Sequence, residues 1–269
     1  MSHSIIGLHQ WLESPPGRYL LAWEQSQFDE AVADVFGYHS LQMGMPWVDG
    51  LRTNRMPHQW LALAPSDLPM HAAEPAPRAV ALLTESAALP FEDASLDLVL
   101  LPHTLELSAD PHAALREVHR VLMPEGRVVI AGLNPISLWG MCQWRARCYQ
   151  RMGFGDLYLP DVGEFIAYHR LRDWLRLLSF EVESSRFGCY RPAVRSSQWL
   201  ERFGWMDSLG AHWWPILGAS YFVVATKRVH GMRLLEPAWR TAKKRAGAAV
   251  AATNRTGRQA ASAQGKNSE

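Results

Sequence analysis

An α/β fold on a mostly parallel sheet follows from three neighbouring segments. Residues 96–101 form an apolar run broken only by Asp97, which suits a strand covered on both faces by helices. Asp110 and Pro111 then supply a helix N-cap and a proline at the first helical position, and Ala114, Leu115, Val118, Val121 and Leu122 recur at helical spacing. Pro124, Glu125 and Gly126 break that helix, and residues 127–133 are a second apolar run. Strand, helix and strand in this order make a parallel pair joined by a right-handed crossover. In open parallel sheets the ligand lies beyond the carboxyl ends of the strands. Here those ends fall at residues 85–88, 101–106 and 132–135.

The remaining elements follow in order. Residues 5–12 and 19–36 read as helical or mixed material ahead of the sheet, with Ser26 or Asp29 as the helix start. Residues 40–43 are a short first strand and 60–64 a second. A loop carrying Pro65, Pro69, Pro75 and Pro77 leads to a third strand at 79–83. Residues 96–101 and 127–133 are the fourth and fifth strands. An aromatic, Arg-rich insertion occupies 134–170, followed by a helix at 171–178 and strands at 180–187 and 221–226. A tryptophan cluster from Trp199 to Trp214 lies between those last two strands, and no internal repeat is evident.

Composition narrows the class. Of 269 residues, 48% are apolar and 20% charged, ordinary values for a soluble globular protein able to bury a full core. Cys142, Cys148 and Cys189 form no C-x-x-C pair and leave an odd count, which argues against a disulfide framework or a thiolate zinc site. No basic segment precedes an apolar core at the N-terminus. The longest apolar stretch, residues 213–225, is too short to span a bilayer and contains Pro215 and Gly218. The expectation is a cytoplasmic protein without a membrane partner.

A net charge of +1 conceals an asymmetry. Residues 1–226 carry 17 Lys or Arg against 24 Asp or Glu, a net of −7, while 227–269 carry 10 against 2, a net of +8. From about Ala246 the chain has almost no large apolar side chain, so burial cannot offset its ordering entropy. The expected organisation is one domain over residues 1–228 and a basic, disordered tail over 229–269. That tail either contacts nucleic acid or an acidic surface, or serves only solubility.

Residues 85–133 bring the motifs together: Leu89-Pro90-Phe91, then Leu96-Asp97-Leu98-Val99, His103-Thr104-Leu105-Glu106, and Arg120-Val121-Leu122-Met123-Pro124-Glu125-Gly126. This pattern resembles the second half of a class I S-adenosylmethionine-dependent methyltransferase domain of the type-11 branch. The resemblance implies a doubly wound, mostly parallel seven-stranded sheet, Rossmann-like, whose last two strands form an antiparallel hairpin. It also implies a methyltransferase using S-adenosyl-L-methionine.

The resemblance assigns the cofactor contacts residue by residue. In the family the first strand ends in a carboxylate and a glycine-rich turn that lets the backbone approach the cofactor's methionine end. The matching stretch here is Leu41-Gln42-Met43-Gly44-Met45-Pro46, which keeps only the first glycine; Gln42 replaces the carboxylate and Pro46 removes a donor. The family's ribose-binding carboxylate after the second strand is also missing from Leu63-Ala64-Pro65-Ser66, with Asp67 as the substitute two or three residues on. Glu85 aligns with the acid that accepts a hydrogen bond from the adenine amino group, and Ser86 and Ala87 would border the ring. The alternative for Glu85 is a solvated loop carboxylate.

His103 and Thr104 fall where the family places groups beside the transferable methyl. Such transfer is an in-line displacement that depends on proximity and orientation, with a histidine taking a proton where the acceptor requires it. His103 is therefore the candidate base, and its alternative is a strand-end residue hydrogen-bonded locally. Glu106 would cap or orient the adjoining loop. No histidine pair has metal-ligand spacing; His112 and His119 read as one helix face.

The insertion at 134–170 leaves the sheet at its ligand-binding edge, as a lid over an acceptor pocket would. Trp139, Trp144, Tyr149, Phe154, Tyr158 and Phe165 could stack on a planar or apolar acceptor, and Arg145, Arg147 and Arg151 could hold an anion. The alternative is a helix completing the core. Three functions remain open at this point: a methyltransferase acting on a small aromatic or apolar molecule, an inactive binding or regulatory protein on the same fold, and a nucleic-acid methyltransferase using the tail. The last lacks the Asn/Asp-Pro-Pro-Tyr/Phe motif; Asn134-Pro135-Ile136-Ser137 is a partial echo in the wrong place.

Overall fold

The structure, a computed structural model, describes residues 11–67, 78–151, 157–159 and 165–229. All of them fall in a unit spanning Met1–His230; a second unit, Gly231–Glu269, lies outside the described residues, as does the expected basic tail from residue 230 onward. In chain order the elements are α1 (Pro15–Ala33), β1 (His39–Met43), β2 (His58–Leu63), β3 (Leu82–Leu83), β4 (Leu96–Pro102), α2 (Thr104–Leu107), α3 (Pro111–Val121) and β5 (Leu122–Leu133). They continue with α4 (Leu138–Arg151), α5 (Tyr168–Leu177), β6 (Phe180–Gly188), α6 (Ser197–Arg202), α7 (Trp205–Trp213) and β7 (Ser220–Lys227).

Seven strands form one sheet in the order β3-β2-β1-β4-β5-β7-β6. The first five are mutually parallel, while β7 runs antiparallel to both β5 and β6. The order reverses at β1 and β4, so the switch point of the sheet lies between them, where an open α/β sheet leaves its ligand crevice. This is the Rossmann-like methyltransferase arrangement, terminal hairpin included.

Local chemistry explains most boundaries. Asp110 caps α3 by accepting a hydrogen bond from the Ala113 N–H at 2.9 Å, with Pro111 opening the helix. The first helix starts earlier than Ser26 or Asp29. Ser14 is its cap, accepting from the Gly17 N–H, and Pro15 and Pro16 occupy positions whose N–H groups would lack partners anyway. The break at 124–126 survives only as an irregularity: Leu96 pairs with Leu122, then the register shifts so that Leu98 pairs with Arg127.

Between β1 and β2 there is no helix. Residues 44–57 are turns, and they are tied to α1. The Asn54 amide donates to Val32 O at 2.9 Å and Val35 O at 3.0 Å, and Gln25 donates to Asp49 O at 2.9 Å. These turns and α1 cover one face of the sheet, where Leu20, Phe28, Val32, Met45, Val48 and Leu51 pack on Leu98, Leu100, Val129 and Phe222. The opposite face packs Leu115, Val118, Leu171 and Leu175, from α3 and α5, on Leu41, Val99, Leu101 and Val128. With both faces buried the strands read as continuous apolar runs.

Candidate functional site

The carboxyl edge of β3, β2, β1 and β4 gathers several of the expected cofactor residues. The register aligns Met43 with Ala62 and Ala62 with Leu82, so the chain emerges from the strands at Gly44, Ala64 and Thr84 along one line. Gly44 has a positive φ of 71°, a conformation glycine adopts at little cost. A Cβ built there would lie 3.6 Å from Thr104 Oγ1 and 4.0 Å from Pro102 O, so β1 and β4 approach closely at this point while leaving room above it. The Thr104 hydroxyl donates to Met43 O at 2.7 Å and pins the two strand ends together.

Glu85, Ser86 and Ala87 follow β3 on the same edge. Thr84 shapes this turn by donating to Ala88 O at 2.7 Å, and Ser86 Oγ lies 3.0 Å from Ser108 Oγ, which joins the β3 turn to the end of α2. Glu85 is exposed. Ala64 stands where a ribose-binding carboxylate would, and Asp67 closes the short 3-10 turn Pro65–Asp67 just beyond it.

Gln42 serves the turn itself. Its Nε2 donates to Val48 O at 2.7 Å, Met45 O at 3.2 Å and Gly44 O at 3.4 Å, and its Oε1 accepts the Gly50 N–H at 3.0 Å. The side chain is buried and both of its polar atoms are engaged. A carboxylate could not make this set of bonds, because three of the four require a donor. Gln42 therefore braces the turn that carries Gly44 through bonds of its own amide group.

His103 is equally enclosed. It adopts a left-handed φ of 53° immediately after β4, is 2% exposed, and lies between two carboxylates. Its Nδ1 is 2.8 Å from Glu106 Oε2 and its Nε2 is 2.9 Å from Glu24 Oε1 on α1. Ser220 at the start of β7 donates to the same Glu24 oxygen at 2.9 Å, and the Leu133 N–H donates to Glu106 Oε1. Burial alone would lower the His103 pKa, but the Glu24 and Glu106 carboxylates overrule it and hold the imidazole well above its ordinary value. Burial pushes the Glu106 carboxyl up, against the opposing pull of His103 and the Leu133 N–H. The two shifts compete for one proton. We place it on His103, because only an imidazolium can donate to both carboxylates at once. With both nitrogens engaged and protonated, His103 is not poised as a base in this conformation. Glu24 is the member of the cluster that sequence reasoning missed.

The insertion divides between core and surface. Trp139 on α4 is 1% exposed, donates from Nε1 to Arg191 O at 2.8 Å and packs edge-on against Trp11 and Tyr158. It completes the core. Trp144 is 71% exposed and borders a cleft of about 310 Å³ lined by Pro135, Met141, Arg147 and Phe165, just beyond the carboxyl end of β5. Phe154 and the Arg151 side chain lie outside the described residues. A larger cleft of about 510 Å³, lined by Phe36, Asp97, Gly126 and Thr226, opens at the opposite edge of the sheet and away from the switch point. Open α/β sheets bind their ligands at the other edge, beyond the carboxyl ends of the strands. Among the described residues no group of His, Cys, Asp or Glu side chains could hold a metal ion, and no helix is long and apolar enough to cross a membrane.

The fold is that of class I methyltransferases, and the comparisons with known proteins agree with it. A family model described as "Methyltransferase domain" matches residues 53–130, which include β2, β4, α3 and much of β5. The chain is 29% identical over 227 residues to the uncharacterized protein YafS of Escherichia coli K12, covering 84% of this chain and 83% of that one. Over 93 residues it is 30% identical to malonyl-[acyl-carrier protein] O-methyltransferase 1 of Coxiella burnetii, covering 34% of this chain and 32% of that protein. The solved structure of an S-adenosylmethionine-dependent methyltransferase from Archaeoglobus fulgidus superposes with a TM-score of 0.52 at 14% identity, over 77% of this chain and 94% of that one, a likeness of fold.

Proposed function

We propose that this protein transfers a methyl group from S-adenosyl-L-methionine to a small aromatic or apolar acceptor in the cytoplasm. The observation that carries the reading is the close approach of Gly44 and Thr104 at the switch point, with Glu85–Ala87 on the same edge. These residues fit an adenosyl sulfonium. Gly44 leaves space above the strand ends, the exposed Glu85 would accept from the adenine amino group, and Ser86 and Ala87 would border the ring. The donor supplies a sulfonium methyl that passes to an electron pair of the acceptor, leaving the S–C bonding pair on sulfur and the acceptor's proton to solvent. The chain's part is to hold donor and acceptor in line and to exclude water.

The cleft beside α4 is the acceptor side of this reading, since it adjoins the carboxyl end of β5 and is walled by Met141, Trp144 and Phe165. A flat apolar molecule would stack there, which favours a small molecule over nucleic acid as the acceptor. The test is a thermal shift with S-adenosylhomocysteine. Ligand at about 100 times its dissociation constant adds roughly 2.7 kcal/mol, or a rise of roughly 5–10 °C for a domain of this size. Glu85→Ala should reduce the rise, and no shift in the wild type at millimolar ligand refutes the reading.

A further inference from the structure

Two buried carboxylates share a single histidine beside the donor seat. Glu24, His103 and Glu106 are 0%, 2% and 3% exposed. In the ion pairs of the described residues neither carboxylate has a cationic partner other than His103. Arg191, which lies over the Tyr19 ring, is paired with Asp207 at 2.9 Å. Two carboxylates face one imidazole, so even an imidazolium between them balances only one of their two formal charges. That excess has a location, because Glu24 Oε1 is used by His103 and Ser220 while Oε2 has no hydrogen-bond partner. A buried carboxylate oxygen left unpaired is costly unless a cation faces it.

The cluster is also in the right place. His103 is followed directly by Thr104, whose hydroxyl bonds Met43 O and stands 3.6 Å from the Cβ position of Gly44. Glu106 holds the end of β5 through the Leu133 N–H, and Glu24 holds the start of β7 through Ser220. The negative charge therefore sits inside the same carboxyl edge as the proposed donor site.

We propose that the Glu24–His103–Glu106 cluster is an anionic platform that favours the positively charged sulfonium donor over its neutral thioether product. The inference rests on the proposed function for the location of the donor, and it makes Glu24 and Glu106 positioning residues that act through charge. Transfer removes the positive charge from sulfur, so the platform's attraction disappears with the methyl group and product leaves more readily. A purely structural cluster would hold both ligands equally well.

The experiment is calorimetric titration of the full chain with S-adenosylmethionine and S-adenosylhomocysteine, in the wild type, Glu24→Gln and Glu24→Gln/Glu106→Gln. Glutamine keeps the size of the side chain and an oxygen to accept the Ser220 and Leu133 bonds while removing the charge. The ratio of donor to product affinity should fall about tenfold in the double variant and in the same direction in the single one, with product affinity nearly unchanged. Equal weakening of both ligands, or an unchanged ratio, overturns the platform and leaves the donor site standing. A wild type that binds neither ligand overturns the donor site as well. If the double variant does not fold, the single variant and its reversal by Glu24→Asp decide the matter on the same ratio.

Discussion

His103 Nε2 lies 2.9 Å from Glu24 Oε1 across 79 residues of sequence, while Nδ1 of the same ring meets Glu106. Glu24 comes from α1, Glu106 from α2, and the Cys189 thiol and Tyr221 hydroxyl are the other titratable groups that sense these carboxylates. Because the folded pKa of His103 is raised above its unfolded value of about 6.5, folded protein binds the extra proton above that pH. Its contribution to stability is full below about pH 6.5 and is lost as pH rises through the folded pKa. Burial raises Cys189 and Tyr221 further from neutrality, so they stay protonated in the window used here. Between pH 6.5 and 8.5 the unfolding free energy of the wild type should decline by as much as about 1.4 kcal/mol per pH unit. His103→Gln should flatten that slope. Denaturant melts at four pH values check it, and parallel slopes would contradict the proton assignment.

Gly44 is where a side chain should cost function more than fold. Its φ of 71° costs an L-residue about 1–2 kcal/mol, and a Cβ there already touches Thr104 Oγ1. The γ-carbons of valine would extend into the space above the strand ends. Gly44→Val should lower affinity for S-adenosylhomocysteine by at least tenfold while far-ultraviolet circular dichroism stays native. Unchanged affinity would mean that the turn is only a bend.

Gln42→Glu restores the residue type expected at the end of a methyltransferase first strand, yet here it should be damaging. A carboxylate would face Val48 O and Met45 O, both acceptors, with no solvent to relieve it. The cost should be about 3 kcal/mol or more, a fall of roughly 6–12 °C in melting temperature. A variant as stable as wild type would show that the turn does not depend on the Gln42 donor.

How far the sequence could be read follows from the range of each interaction. Asp110, Pro111 and the apolar spacing of α3 act within a few residues, and the helix forms where they place it. The strand order needed a family pattern, because pairing of β1 with β4 joins Ser40 to Leu98 and nothing local encodes it. The start of α1 was misplaced because Ser26 and Asp29 look like caps, while Ser14 followed by two prolines is the stronger signal. Glu24 escaped because its partners are distant. Its signal was present all the same: Leu20, Glu24, Phe28 and Val32 recur at intervals of four along the buried side of α1, and a carboxylate in such a stripe calls for a partner. The turn at 44–57 was hidden for the opposite reason. Gln42 substitutes for a carboxylate in sequence, but what it does depends on backbone carbonyls that only the folded turn presents.

The two tryptophans of α4 should separate core from acceptor surface. Trp139→Ala should destabilise by about 3–5 kcal/mol, since it opens a large cavity and removes the bond to Arg191 O. Trp144→Ala should change stability by no more than about 0.5 kcal/mol, as expected for an exposed site. Once an acceptor is in hand, Trp144→Ala should raise its KM. Equal stability losses for the two would remove the case for Trp144 as a pocket wall.

Hydrogen exchange of the full chain with and without saturating S-adenosylhomocysteine tests the location of the donor site most directly. Ligand should slow exchange in three separate peptides on the carboxyl edge, covering residues 43–50, 84–88 and 103–107, because binding to the folded state suppresses local opening of the segments it contacts. Protection confined to residues 34–36, 97 and 124–127, which border the cleft at the opposite edge, would contradict the account. So would saturating ligand that protects nothing.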